Sequence, residues 1–137
     1  MRDHEGALQK ALIGHLRADT AVRALLGDPA RVWDEAPGEA VWPWLAIGRS
    51  ESRPVAADGC GVEHTLSLRC ASRFPGTEEA RAVLAAVRAA LHDVTLEADG
   101  VRTVSIRATY AEVFRSHDQK RVWGVVRVRA VTEESGE

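Results

Sequence analysis

The sequence predicts an α+β fold, an antiparallel β-sheet with helices packed on one face, in the order α-α-β-β-β-α-β-β-β. Three observations predict it. Apolar residues recur at helical spacing in two stretches within residues 3–26 and again around residues 77–92. Strict apolar/polar alternation marks long runs after residue 62 and after residue 101. Turn signals, above all Asp99-Gly100, join alternating runs as hairpins do.

The first helix has Asp3 as N-cap and Glu5 in its first turn, where a negative charge complements the helix dipole. Leu8, Ala11, Leu12 and Leu16 form its apolar stripe. A second short helix starts at Thr20 and buries Val22, Leu25 and Leu26; Gly27 and Pro29 stop it. Residues 31–35 read as a short strand and 36–43 as a loop with Pro37, Gly38 and Pro43. Residues 44–49 read as a second strand with Leu45 and Ile47 on one face. Residues 51–61, with Pro54, Gly59 and Gly61 and no core pattern, read as a mobile loop or a protruding hairpin.

From residue 62 the alternation places Val62, His64, Leu66, Leu68, Cys70 and Phe74 on one face, with Glu63, Thr65, Ser67, Arg69 and Arg73 opposite. Thr77 caps the third helix, whose buried stripe is Ala80, Val83, Leu84, Val87 and Leu91. Residues 94–98 read as a strand entering the Asp99-Gly100 turn. In the strand over 101–114, Val104, Ile106, Ala108 and Tyr110 should share the buried face. In the last strand, 121–131, Val122, Val126, Val128 and Ala130 point inward. Residues 132–137 read as a frayed acidic tail, and the whole chain, 1–137, as one domain.

Composition narrows the function. The net charge of -2, with both signs interspersed, argues against a dedicated DNA-binding domain, which needs a basic excess. No run of about 18 apolar residues offers a membrane span, and the first residues lack a signal-peptide core. Cytoplasm is the expected compartment, which disfavours a Cys60–Cys70 bridge; Cys70 reads as a small core residue.

Motifs for catalysis are missing. There is no Gly-x-Ser-x-Gly elbow, no P-loop and no Cys-x-x-Cys, and His4, His15, His64, His92 and His117 show no metal-ligand spacing. His64 reads as a hydrogen-bonded, partly buried histidine; a pairing of His117 with Asp118 would need help from elsewhere. Asp34-Glu35 reads as a strand end rather than a cation site. No catalytic residue, cofactor or metal is expected.

The chain's four tryptophans and its arginines are more informative. Trp42 and Trp44 flank Pro43 and suit either a core or a subunit contact, where Trp and Arg are enriched. Trp123 falls opposite the inward set of the last strand. Arg69, Arg73, Arg107, Arg121, Arg127 and Arg129 should project from that same outer face. It reads as a solvated face, a docking surface for acidic groups or, more weakly, a nucleic-acid contact without an aromatic ladder.

In order along the chain, these features resemble the phage tail-completion (tail-terminator) family. The resemblance is carried by residues 24–27 (Ala-Leu-Leu-Gly), Arg31 to Asp34 with Pro37, Pro43 to Gly48, and Glu63-His64 through Leu68. Gly76 to Ala80 and Trp123 to Ala130 complete it. Trp123 and Val128 depart from the histidine and the aromatic common there. The Ala and Arg content also fits gene transfer agents.

The resemblance implies a non-enzymatic subunit of a virion or phage-like particle tail, assembled in a bacterial cytoplasm. It implies a homo-oligomeric ring, a hexamer, that caps the tail tube. Its partners would be the major tail tube protein and the head-tail connector, with DNA passing only as cargo. A ring needs two different complementary patches on each subunit. Arg69, Arg107, Trp123, Arg127 and Arg129 of the outer face, with Arg53 and Trp42, are the expected interface residues. Two alternatives stay open: a nucleic-acid-binding module using the arginine face, and a ligand or enzyme domain with a scattered polar site.

Overall fold

The computed structural model describes residues 2–55 and 61–135. The elements are α1 (His4–Ala18), α2 (Thr20–Leu26), β1 (Val32–Trp33), β2 (Trp44–Pro54), β3 (Val62–Ser72), α3 (Glu78–Leu91), β4 (Glu97–Ala98), β5 (Val101–Arg115) and β6 (Val122–Glu134). The sheet order is β1-β2-β3-β6-β5-β4. β1 pairs parallel with β2, and the other pairs are antiparallel. This is the α+β class and element order that the sequence predicts.

Local chemistry explains the helix ends. The Asp3 carboxylate accepts the Gly6 N–H at 2.9 Å, and Asp19 accepts the Val22 N–H at 3.1 Å, so each helix has an orphan donor satisfied at its start. Thr77 sits at the cap position of α3 but makes no side-chain cap, contrary to expectation. Ser72 organises that corner instead. Its hydroxyl donates to Glu79 Oε1 at 2.7 Å and accepts the Phe74 N–H at 3.1 Å.

The three helices cover one face of the sheet. Leu8, Leu12 and Leu16 of α1, Val22 and Leu26 of α2, and Val83, Leu84, Val87 and Leu91 of α3 pack on Leu45, Leu68, Cys70, Ile106, Val126 and Val128. Each fully buried aliphatic side chain contributes about 1.5–3 kcal/mol of transfer free energy. α3 lies close to β6 at Gly124, where an added Cβ would stand 3.3 Å from three Leu84 atoms. Asp99 and Gly100, both at positive φ (52° and 79°), make the tight β4–β5 turn that the dipeptide predicts.

Several expectations are corrected. Of the two readings of segment 51–61, residues 51–54 follow the hairpin and not the loop: they continue β2 and pair with β3, Glu51 opposite Thr65 and Pro54 opposite Val62. The remaining loop residues 56–60, including Cys60, lie outside the described residues. Residues 132–134 are not frayed, because β6 runs to Glu134 and Thr132 is buried. Phe74 lies beyond β3 and is exposed. Only Glu97 and Ala98 of the expected strand 94–98 are paired.

The alternation in β5 also fails twice. Register shifts fall between Thr103 and Ser105 and between Ala108 and Tyr110. Each extra residue moves the rest of the strand to the other face. Val104 is therefore 59% exposed, while Thr103 turns inward. Its hydroxyl donates to the Val94 carbonyl and accepts the Leu96 N–H. Tyr110 joins the outer face, opposite Arg127.

Candidate subunit interface

The helix-free face of the sheet is built from residues that alternate with the core set. One row crosses four strands: Trp44, Ala71, Trp123 and Phe114 are neighbours in register. Ala71 is small and fully buried, so the indoles on either side close over it. Trp44 and Trp123 have ring centroids 6.2 Å apart, and Trp42 reaches both, at 5.8 and 6.3 Å. All three pairs are edge-on or tilted, the favoured arrangements for rings with negative faces and positive edges.

Trp42 comes from the segment 34–43, which folds back over the sheet and adds Ala36 and Ala40 to a second, smaller core with Ala46 and Trp33. The Arg31 Nε donates to the Pro43 carbonyl at 2.8 Å, and the Arg17 Nε donates to the Val32 carbonyl at 2.9 Å. These two bonds pin the segment's ends. The tryptophans thus form a core of their own on the face opposite the helices.

Arginines lie over this cluster. The Arg73 guanidinium is 4.3 Å from the Trp42 ring centroid, Arg69 is 5.4 Å from Trp123, and Arg121 is 5.9 Å from Trp42. Arg127 lies 4.7 Å over Tyr110. Exposed cation–π contacts contribute about 0.5–1 kcal/mol each. Arg129 instead pairs with Glu63 at 2.7 Å, Arg107 with Asp93 at 3.0 Å and Arg53 with Glu51 at 3.5 Å. All three pairs are solvent-accessible and contribute little to stability.

The expected interface residues fall in three places. Arg69, Trp123 and Trp42 converge on one aromatic patch, joined there by Arg73 and Arg121. Arg127 and Arg129 lie further along the same face of β6, with Arg107 opposite Arg129 on β5. Arg53 sits near the end of β2, away from the tryptophans.

The ionisable groups in the core are held by neighbours. The Thr132 hydroxyl lies 2.7 Å from His4 Nδ1 and 2.8 Å from His64 Nε2, and all three residues are buried. One hydroxyl has one proton, so it can donate to at most one ring and accepts an N–H from at least one of the two. Burial pushes the His64 pKa below its ordinary value, the nearby Glu5 opposes this, and His4 adds to it. Burial and then Glu79 push the Cys70 thiol up to about 12, far from a reactive thiolate. His117 and Asp118 sit in the β5–β6 turn, where Asp118 accepts the Ser116 hydroxyl and the Lys120 N–H. Among the described residues no three His, Cys, Asp or Glu side chains could hold a metal ion. Among the described residues no helix is long and apolar enough to cross a membrane.

The family model of tail completion protein gp17 matches residues 10–133. The chain belongs to this family. The match spans α1 to β6, so it includes the tryptophan patch and every arginine of the outer face. Among solved structures, a chain of the virion of a native gene transfer agent particle is 25% identical, with a TM-score of 0.86, covering 97% of this chain and 99% of that chain. Family and structural likeness together give this tail completion chain a structural role in the tail of a phage or gene-transfer-agent particle. A second solved chain, 15% identical, has a TM-score of 0.53 over 95% of this chain and 92% of the other, and shows the fold alone. No curated protein sequence matches significantly.

Some surface features of this tail completion chain escape periodicity. Phe114 joins the aromatic row only because the β5 bulges shift its register. The groove between α3 and β5 arises from tertiary packing, although its arginines at helical spacing, Arg81 and Arg88, are visible in the sequence.

Proposed function

We propose that this chain is the tail-terminator subunit of a phage or gene-transfer-agent particle. Six copies close into a ring on the last ring of the tail tube, stop its growth and present a surface to the head-tail connector. DNA passes through the ring as cargo, and the subunit has no catalytic role. The observation that carries this reading is the near end-to-end structural likeness to one chain of a gene transfer agent virion, together with family membership. Supporting it, the outer face joins an aromatic patch to arginines, a composition suited to protein contacts. The Cys70 thiol and the two buried histidines are tied up in the core and are not presented to a substrate.

The interface assigned to this function includes Arg69, Arg107, Trp123, Arg127, Arg129, Arg53 and Trp42. The test replaces Arg127 and Arg129 with Glu. The variant should melt close to wild type but fail to form rings, alone or on isolated tail tubes, by native mass and electron microscopy. A doubly substituted protein that still caps tubes removes this face from the interface. Wild-type protein that never forms rings on tubes overturns the terminator reading itself.

A further inference from the structure

The sheet ends differently on its two sides. On one side, β4 covers only Val101 and Arg102 of β5, and the Asp93 N–H then donates to the Ile106 carbonyl. Beyond this point the outer edge of β5 carries no backbone partner among the described residues. A groove runs there between β5 and α3. Its largest part has a volume of about 780 Å³. Small side chains floor it: Ala85 and Ala89 from α3, Ala108 and Ala111 from β5. Arg81 and Arg88 stand along its wall, exposed and with no ion pair among the described residues. Arg107 adds positive charge but is held by Asp93. The groove's one carboxylate, Glu112, receives a hydrogen bond from Tyr110.

At the other end of the sheet the charge is reversed. Chain leaving β1 carries Asp34, Glu35 and Glu39, all exposed and without ion pairs among the described residues. Val41 comes next and is 63% exposed, the highest value among the exposed large apolar side chains. The segment is fixed from beneath by Ala36, Ala40 and Trp42 in the tryptophan core, by the Arg31 bond to Pro43, and by the Ala40 N–H to the Pro37 carbonyl. It therefore presents its acids and Val41 with little ordering left to do on binding.

We propose that the acidic segment 34–41 of one copy docks in the α3–β5 groove of the next, with its carboxylates facing Arg81 and Arg88 and Val41 on the alanine floor. The groove lies at the β5 edge beside α3, and the segment, leaving β1 at the far edge, lies on the helix-free face; the two surfaces differ, so the contact is head-to-tail and can close a ring. This inference rests on the ring reading and names a pair of surfaces for it.

Charge exchange tests it. Two variants are made, R81E/R88E and E35R/E39R, along with the chain carrying all four changes. Each double variant should keep the wild-type melting temperature within a few degrees and lose at least tenfold in ring yield on tail tubes. The fourfold variant, and an equimolar mixture of the two doubles, should recover rings. Double variants that assemble like wild type overturn this pairing and leave the ring reading intact. Loss without recovery in both the fourfold chain and the mixture also overturns it. Absence of wild-type rings overturns the ring reading and this pairing together.

Discussion

The two faces of the sheet solve the problem of burial in different ways. The inner face is aliphatic and lies under three helices, so Leu12, Leu16, Leu45, Leu68, Leu91 and Ile106 are fully buried. The outer face has no helix. It buries Trp44, Ala46 and Ala71 beneath a folded-back loop and leaves Trp33, Trp42 and Trp123 partly open. Close packing of aliphatic side chains suits a surface that meets only its own chain. A half-open aromatic cluster with arginines over it is stable alone and still offers area to a neighbour. The helix-covered face carries most of the buried aliphatic area, and under the proposed interface the outer face adds contacts with a neighbour.

Substitution should expose that separation. Leu68→Ala, at the centre of the inner face, should cost about 2–5 kcal/mol in chemical unfolding, because the helices cannot collapse fully into the space left. Any loss of assembly should then track the unfolded fraction. Trp123→Ala should cost less, about 2 kcal/mol, because the ring is only partly buried. Here assembly should fall in protein that is still folded at the assay temperature. Equal losses of stability from the two variants would erase the distinction between the faces.

Acid gives a finer test, since His64 lies on the inner face. Its folded-state pKa is depressed, first by burial, so the unfolded chain binds the proton more readily. The stabilisation is present above the ordinary histidine pKa of 6.5 and drains away as pH falls below it. One proton limits the slope to about 1.4 kcal/mol per pH unit. Unfolding free energies measured from pH 7.5 to 5.5 should show this slope, and His64→Gln should flatten it. An unchanged slope in that variant would assign the effect to another group.

Much of this organisation is legible in the sequence. The apolar stripes of α1 and α3, the Asp3 cap, the Asp99-Gly100 turn and the alternation in β3 and β6 are repeats of local geometry, and each appears in the structure as expected. The outward placement of Trp123, Arg69, Arg127 and Arg129 comes from the same alternation. Alternation fails where a strand gains a residue, as Val104 and Tyr110 show, because a bulge reverses the faces without changing composition. The length of β2 was also hidden: Glu51 and Arg53 look like loop residues but face solvent from a paired strand.

By itself, then, the sequence determined the class of fold, the element order and, in β3 and β6, which side chains share a face, because these depend on spacing along a short stretch of chain. The meeting of Trp42 with Trp123, the sharing of Thr132 by His4 and His64, and the opening of a groove beside Arg88 were decided only by tertiary structure. Those contacts join residues far apart in the chain, so no local period encodes them; they exist only once strand register and helix docking have placed the partners side by side.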